Sequence, residues 1–159
     1  AGAYSPLTNT MYYPMKNECA RVLATPDGGL SLYQLAARFQ LAPDTDEHGS
    51  VWAISAETGK TAWRHEQRAA TQALVATGGR LVFGGDGNGR FKAFDQDTGE
   101  ILWEINLGSP VRGFPITYSV DGRQYIVAST GSGNSGLTPE LRPSNGNNIF
   151  VFALTDATN

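Results

Sequence analysis

The chain has 159 residues, a formal net charge of −3 and 17% charged residues, with 19 glycines, eight prolines and one cysteine. That length suits one domain with a good core. Without a basic stripe it has little to offer nucleic acid, and no apolar run approaches the ~20 residues that span a bilayer. In chain order, Gly2–Ser5 and Thr10–Met15 read as strands, so the chain is expected to begin inside a fold rather than with a leader. A long connection, 16–50, follows; within it Leu32–Phe39 is mildly amphipathic and reads as a short helix or an irregular insertion. Val51–Ile54 is a strand, Ala56–Gly59 a turn and Lys60–His65 the returning strand. Ala73–Thr77, Leu81–Phe83, Phe91–Asp95 and Ile101–Asn106 are four more, separated by Gly78-Gly79, Gly87-Asn88-Gly89 and Asp97-Thr98-Gly99. Phe114–Ser119, Gln124–Thr130 and Asn148–Leu154 complete the series. Glycine-bearing short turns are what tight hairpins require, because positive φ is cheap there.

Two segments, Ala53–Trp63 and Ala93–Trp103, are near copies 40 positions apart, of the form Ala-x-(Asp/Ser)-x-x-Thr-Gly-(Lys/Glu)-x-x-Trp. A repeat of about 40 residues marks a unit that buries its apolar face only by stacking on neighbours. Naming the strands of a unit A to D, Ala73–Asn106 supplies a complete set. The segment before it supplies another, and the segment after it supplies A, B and a final C without a D. Four-stranded antiparallel units at this period are β-propeller blades. The expected fold is all-β: a partial β-propeller of about three four-stranded blades, spanning approximately 1–66, 67–107 and 108–159. A ring needs about four to eight blades, so the chain reads as part of a larger fold, and its missing last D strand points to the C-terminal end. Trp63 and Trp103 are expected to pack between blades.

In such a blade the A–B and C–D turns share one face of the disc, and the B–C and D–A connections share the other. Here the long connections, 16–50 and 131–147, are both B–C. Long loops in a compact domain are usually functional. The functional face is therefore expected to carry both loops and the D–A segment Glu66–Gln72.

His48 and His65 fit no metal spacing, and Asp86-Gly87-Asn88-Gly89 is too short for a calcium loop. Asp44, Asp46 and Glu47 read as a solvated loop. Cys19, the lone cysteine, is either a small buried hydrophobe or half of a disulfide whose partner lies elsewhere.

The repeat resembles the tryptophan-docking motif of pyrroloquinoline quinone (PQQ) dependent alcohol dehydrogenases, which are eight-bladed quinoproteins. The likeness extends to Thr10-Met11-Tyr12-Tyr13-Pro14 with Asn17-Glu18-Cys19, and to Gly108–Tyr118. Leu137-Thr138-Pro139-Glu140-Leu141-Arg142-Pro143 and Asn147–Leu154 resemble the C-terminal closure of a soluble branch acting on alcohols and sugar alcohols. The resemblance implies the C-terminal portion of an enzyme that removes hydride from an alcohol to the PQQ C5 carbonyl, with Ca²⁺ as Lewis acid. Electrons would pass to an external cytochrome c or another acceptor, in the periplasm.

The implied cofactor-binding positions are Thr71 or Gln72 in the D–A segment and Gly133, Asn134 and Ser135 in the last B–C loop. Read without the resemblance, Gly131–Gly136 is a glycine-rich loop. The methanol-oxidising pattern carries a Trp in each of these segments and this chain carries neither, which implies room for bulkier substrates. No catalytic base or metal ligand falls on this chain by resemblance; these belong to earlier blades, so the chain alone is expected to be inactive. For Cys19 the resemblance implies a disulfide to an upstream cysteine, and so a link to the remaining N-terminal blades. The competing reading is a non-catalytic propeller that uses the same repeat as a scaffold or binding surface.

Overall fold

A computed structural model describes residues 1–24, 35–131 and 146–154. Among these residues every regular element is a β-strand. The first sheet is ordered β1 (Ala3–Ser5), β2 (Thr10–Lys16), β5 (Gly49–Ser55), β6 (Thr61–Gln67). The second runs β7 (Thr71–Ala76), β8 (Leu81–Asp86), β9 (Arg90–Asp95), β10 (Ile101–Asn106). The third holds β11 (Val111–Val120), β12 (Arg123–Thr130) and β13 (Ile149–Ala153). All neighbours pair antiparallel. These are the blades expected from the repeat, and among the described residues the third has no fourth strand.

The connection after β2 departs from expectation. Leu32–Phe39 is neither a helix nor irregular where it is described: β4 (Leu35–Leu41) pairs with β3 (Glu18–Ala24) from Glu18↔Leu41 to Ala24↔Leu35. A continuous ladder pairs the facing backbone groups of the two strands, and that pairing overrides a weak helical periodicity. Backbone bonds Asn17 N→His48 O (3.0 Å) and Ala42 N→Asn17 O (2.9 Å) close the base of this hairpin.

The core lies between sheets. Tyr12, Val51, Ala53 and Trp63 of the first meet Leu74, Val82 and Phe94 of the second. Phe91, Leu107, Val111, Ile126 and Ala128 fill the space between second and third. Strand alternation sorts the faces: in β2, Thr10 and Tyr12 are buried on one face while Tyr13 and Met15 are exposed on the other.

The repeat supplies both a turn and an interlock. Asp95 Oδ1 accepts from Thr98 N and Asp97 N, each at 2.9 Å, which shapes the turn, and Gly99 takes φ 75°. A Cβ on Gly99 would lie 2.6 Å from the Trp63 ring, so this glycine is also the seat on which the preceding blade's indole lies. Trp63 Nε1 donates to Gln96 O (2.9 Å), as does the Tyr12 hydroxyl (3.0 Å). Gln96, 1% exposed, in turn donates through Nε2 to Thr77 O and Leu81 O.

The outer flanks of the stack are apolar and open. Tyr4, Tyr13 and Met15 are exposed on the first sheet; Phe114, Ile116, Tyr118, Ile149 and Val151 are exposed on the third.

Candidate functional site

The connections expected to share a face are stitched together there. The D–A link 67–71 packs directly on the start of β5: a Cβ on Gly49 would lie 2.4 Å from Ala70 Cα. Gly87 N donates to Ala70 O (3.1 Å), Leu107 N to Gly89 O (2.8 Å) and Gly131 N to Pro110 O (3.0 Å). Ser109, 2% exposed, accepts from Gly146 N (2.8 Å) and donates to Gly146 O (3.0 Å). The links are thus tied to the turns of their own blades, and at Gly49 and Ala70 the first blade meets the link into the second through backbone.

Of the positions singled out by sequence, Thr71 and Gln72 sit at the start of β7, the A strand of the middle blade, on this face. Thr71 is 5% exposed and its hydroxyl accepts from Gln67 Nε2 at 2.7 Å. Gln72 is half-buried, and its carbonyl accepts from Ala1 N at 2.8 Å. Gln72 is therefore the more reachable of the two. Gly133, Asn134 and Ser135 lie outside the described residues; Gly131 and Gly146, which flank them, are both anchored as above.

Behind the D–A link lies a buried polar cluster that sequence reading missed. Lys92 Nζ donates to Gln67 Oε1 at 3.0 Å and stands 3.6 Å from Asp86 Oδ2 and 3.8 Å from Glu104 Oε2. Lys92, Gln67 and Asp86 are 7%, 5% and 3% exposed. Burial pushes the Asp86 carboxyl up from its ordinary value, opposed by the Arg90 amide, by Lys92 and by the Asn88 amide. Burial likewise lowers His65, and the nearby Lys92 charge lowers it further. The signal available in the sequence was a lysine within Phe91-Lys92-Ala93-Phe94, a run whose other members are apolar.

Asp86 Oδ1 accepts from Asn88 N and Arg90 N, both at 2.9 Å, so Asp86–Gly89 closes a turn rather than forming a calcium loop. Among the described residues no group of three His, Cys, Asp or Glu could hold a metal ion. His48 Nδ1 lies 3.5 Å from Glu18 Oε1 at the hairpin base. Cys19 is exposed on β3, which overturns the reading of it as a buried hydrophobe; pairing with Gln40 at the free ladder leaves its side chain in solvent. Lys16 and Arg68 are exposed at the ends of β2 and β6 on this face.

A family model described as outer membrane protein assembly factor BamB, of the PQQ repeat type, matches residues 47–148. The quinoprotein ethanol dehydrogenase of Pseudomonas putida is 45% identical over 91 residues, covering 57% of this chain and 15% of that enzyme. The quinoprotein ethanol dehydrogenase of Pseudomonas aeruginosa is 36% identical over 129 residues, covering 76% of this chain and 21% of that enzyme. Among solved structures, a europium-containing methanol dehydrogenase superposes with a TM-score of 0.82 at 25% identity, over 96% of this chain and 32% of that one. The chain therefore spans about a third or less of the length of each of these proteins.

Proposed function

The chain belongs to the PQQ-repeat β-propellers, in the quinoprotein alcohol dehydrogenase family, and on that premise we propose that it is the C-terminal part of a PQQ- and calcium-dependent enzyme oxidising alcohols or sugar alcohols. The observation that carries this reading is the superposition of 96% of the chain on a europium-containing methanol dehydrogenase. The face described above then supplies one rim of the cofactor site.

The donor set there fits that role in kind. PQQ is a tricarboxylated quinone, and the rim offers a half-buried Gln72 amide with Arg68 and Lys16 as exposed cations. When bound, PQQ supplies a two-electron acceptor for hydride from the alcohol, with the metal ion as Lewis acid. This chain's own contribution is orientation and charge complementarity. The catalytic base and metal ligands fall on the blades outside it. The neighbouring europium enzyme makes the identity of the metal a direct experimental question: removal by chelator and reconstitution with Ca²⁺ is expected to restore turnover, and restoration by a lanthanide ion alone would reject the calcium assignment.

Thr71 and Gln72, either of which stands where the methanol-oxidising pattern carries a tryptophan, are both smaller than that residue, which supports a pocket open to larger alcohols. A turnover screen of the full-length protein is expected to favour polyols; preference for small primary alcohols would reject that specificity. Electrons are assigned to an external cytochrome c, and the protein to the periplasm. The exposed Cys19 thiol is assigned to a disulfide with a cysteine on the preceding blades. Unchanged mobility of the full protein between reducing and non-reducing gels would reject the bond.

The description of the matching family model favours a second reading, a non-catalytic propeller that serves as an assembly scaffold. One measurement separates the two. Stoichiometric PQQ absorbance with dye-linked alcohol turnover in the full-length protein supports the enzyme; a folded protein that binds no PQQ supports the scaffold.

A further inference from the structure

The Gln67 amide has two orientations, and its surroundings permit one. An ammonium has only protons to donate, so the 3.0 Å contact with Lys92 Nζ fixes Oε1 toward the lysine. The amide nitrogen must then point along the D–A link, where it donates to Ala69 O and to Thr71 Oγ1, each at 2.7 Å. The link is the sole covalent passage between the first and second blades, and Gln72 is its next residue. Lys92 itself sits on β9, in the second blade, while Gln67 ends β6 in the first. Asp86 and Glu104 supply the opposing charge that a buried ammonium needs.

We propose that Lys92, acting through the Gln67 amide, is a positioning residue that sets the D–A link and with it the placement of Gln72 at the cofactor rim. The inference rests on the PQQ reading above. A residue that merely filled space here would be apolar, since an ion pair buried between two sheets is at best neutral for stability against a hydrophobic replacement. What the lysine adds is a hold on the other end of the amide: the Ala69 carbonyl, which can only accept, draws Nε2 to the link, and the ammonium, which can only donate, pins Oε1 on the opposite side.

The test uses the full-length protein prepared without PQQ, titrated with PQQ and followed by its absorbance, together with Tm and a kcat-against-KM comparison. Gln67→Glu is the informative variant. It keeps an acceptor for Lys92, and strengthens that contact, but loses both protons given to Ala69 and Thr71. The expected result is a Tm close to the parent's with PQQ affinity weakened about tenfold, the effect of losing one to two such bonds. Lys92→Met is expected to weaken PQQ binding similarly, with Lys92→Arg restoring part of it. If both Gln67→Glu and Lys92→Met bind PQQ as the parent does, the positioning role is overturned while the PQQ reading stands. If the parent binds no PQQ, the functional reading falls first. A Gln67→Glu protein that loses Tm and affinity together, with full affinity regained on stabilisation by osmolyte, assigns the network to stability alone and also overturns the proposal.

Discussion

Two glycines of the repeat occupy equivalent turns with the same left-handed backbone, yet differ in what lies above them. Gly99 (φ 75°) carries the Trp63 indole, whereas a Cβ on Gly59 (φ 69°) would meet nothing within 4 Å. Gly59→Ala is expected to destabilise this chain by about 1–2 kcal/mol, the backbone term alone. Gly99→Ala adds a clash with a buried ring and should exceed it by at least about 1 kcal/mol; equal denaturation midpoints would contradict the interlock. Trp63→Ala, which empties that seat and removes one of the two donors to Gln96 O, is expected to cost about 3–5 kcal/mol by urea unfolding. The packing role of Trp63 was legible from the repeat, and so was the turn. Gln96 was not: it stands at a variable position of the motif, occupied by Ala56 in the other copy, and only the stacked blades reveal it as a hub of hydrogen bonds to Ser5, Tyr12 and Trp63 of one blade and to Thr77, Arg80 and Leu81 of its own.

At the level of strands, His65 of β6 lies edge-on to Phe94 of β9, ring centroids 5.4 Å apart, and joins two blades. Its folded pKa is lowered by burial and by Lys92, against 6.5 when unfolded. As pH falls below 6.5 the unfolded chain takes the proton first, so stability declines with falling pH across that window and is unaffected by this group above it. His65→Phe is expected to flatten stability between pH 6.5 and 5; an unchanged slope would show the histidine to be solvated. Asp86 acts in a separate window: burial raises its carboxyl above 3.8, so its ionisation erodes stability as pH rises from there through its folded value. The blade strands were readable because each alternates and ends in a turn residue. The β3–β4 hairpin was not, because its seven-residue ladder is set by pairing partners and its helical periodicity, taken alone, pointed elsewhere. The Lys92 cluster escaped for a similar reason: Gln67, Asp86 and Lys92 come from three strands, and no spacing along the chain announces their meeting.

For the molecule as a whole, the open flanks govern behaviour. Three stacked sheets leave Tyr13 and Met15 at one end and Ile116, Tyr118 and Val151 at the other, an apolar area that monomers rarely expose. Dye-linked alcohol oxidation by these 159 residues alone is expected to be nil, and turnover would overturn the assignment of the chemistry to other blades. The architecture was legible from a single period of 40 residues, because stacking repeats have little freedom in how they assemble. The candidate site was legible only as a face: Thr71 and Gln72 lie on it, and Gly133, Asn134 and Ser135 fall outside the described residues. The seat at Gly99 also gives the stack a polarity: the first blade lays its Trp63 indole on the turn of the second, while a Cβ on Gly59, at the equivalent turn of the first, would meet nothing within 4 Å. An interface of that kind is heterologous, and copies joined through it either close into a ring or run on without limit. Released from its partners, the chain should therefore not settle as a symmetric dimer. Sedimentation is expected to show open-ended head-to-tail growth with rising concentration, and a discrete two-fold dimer would mean that the flanks meet some other way.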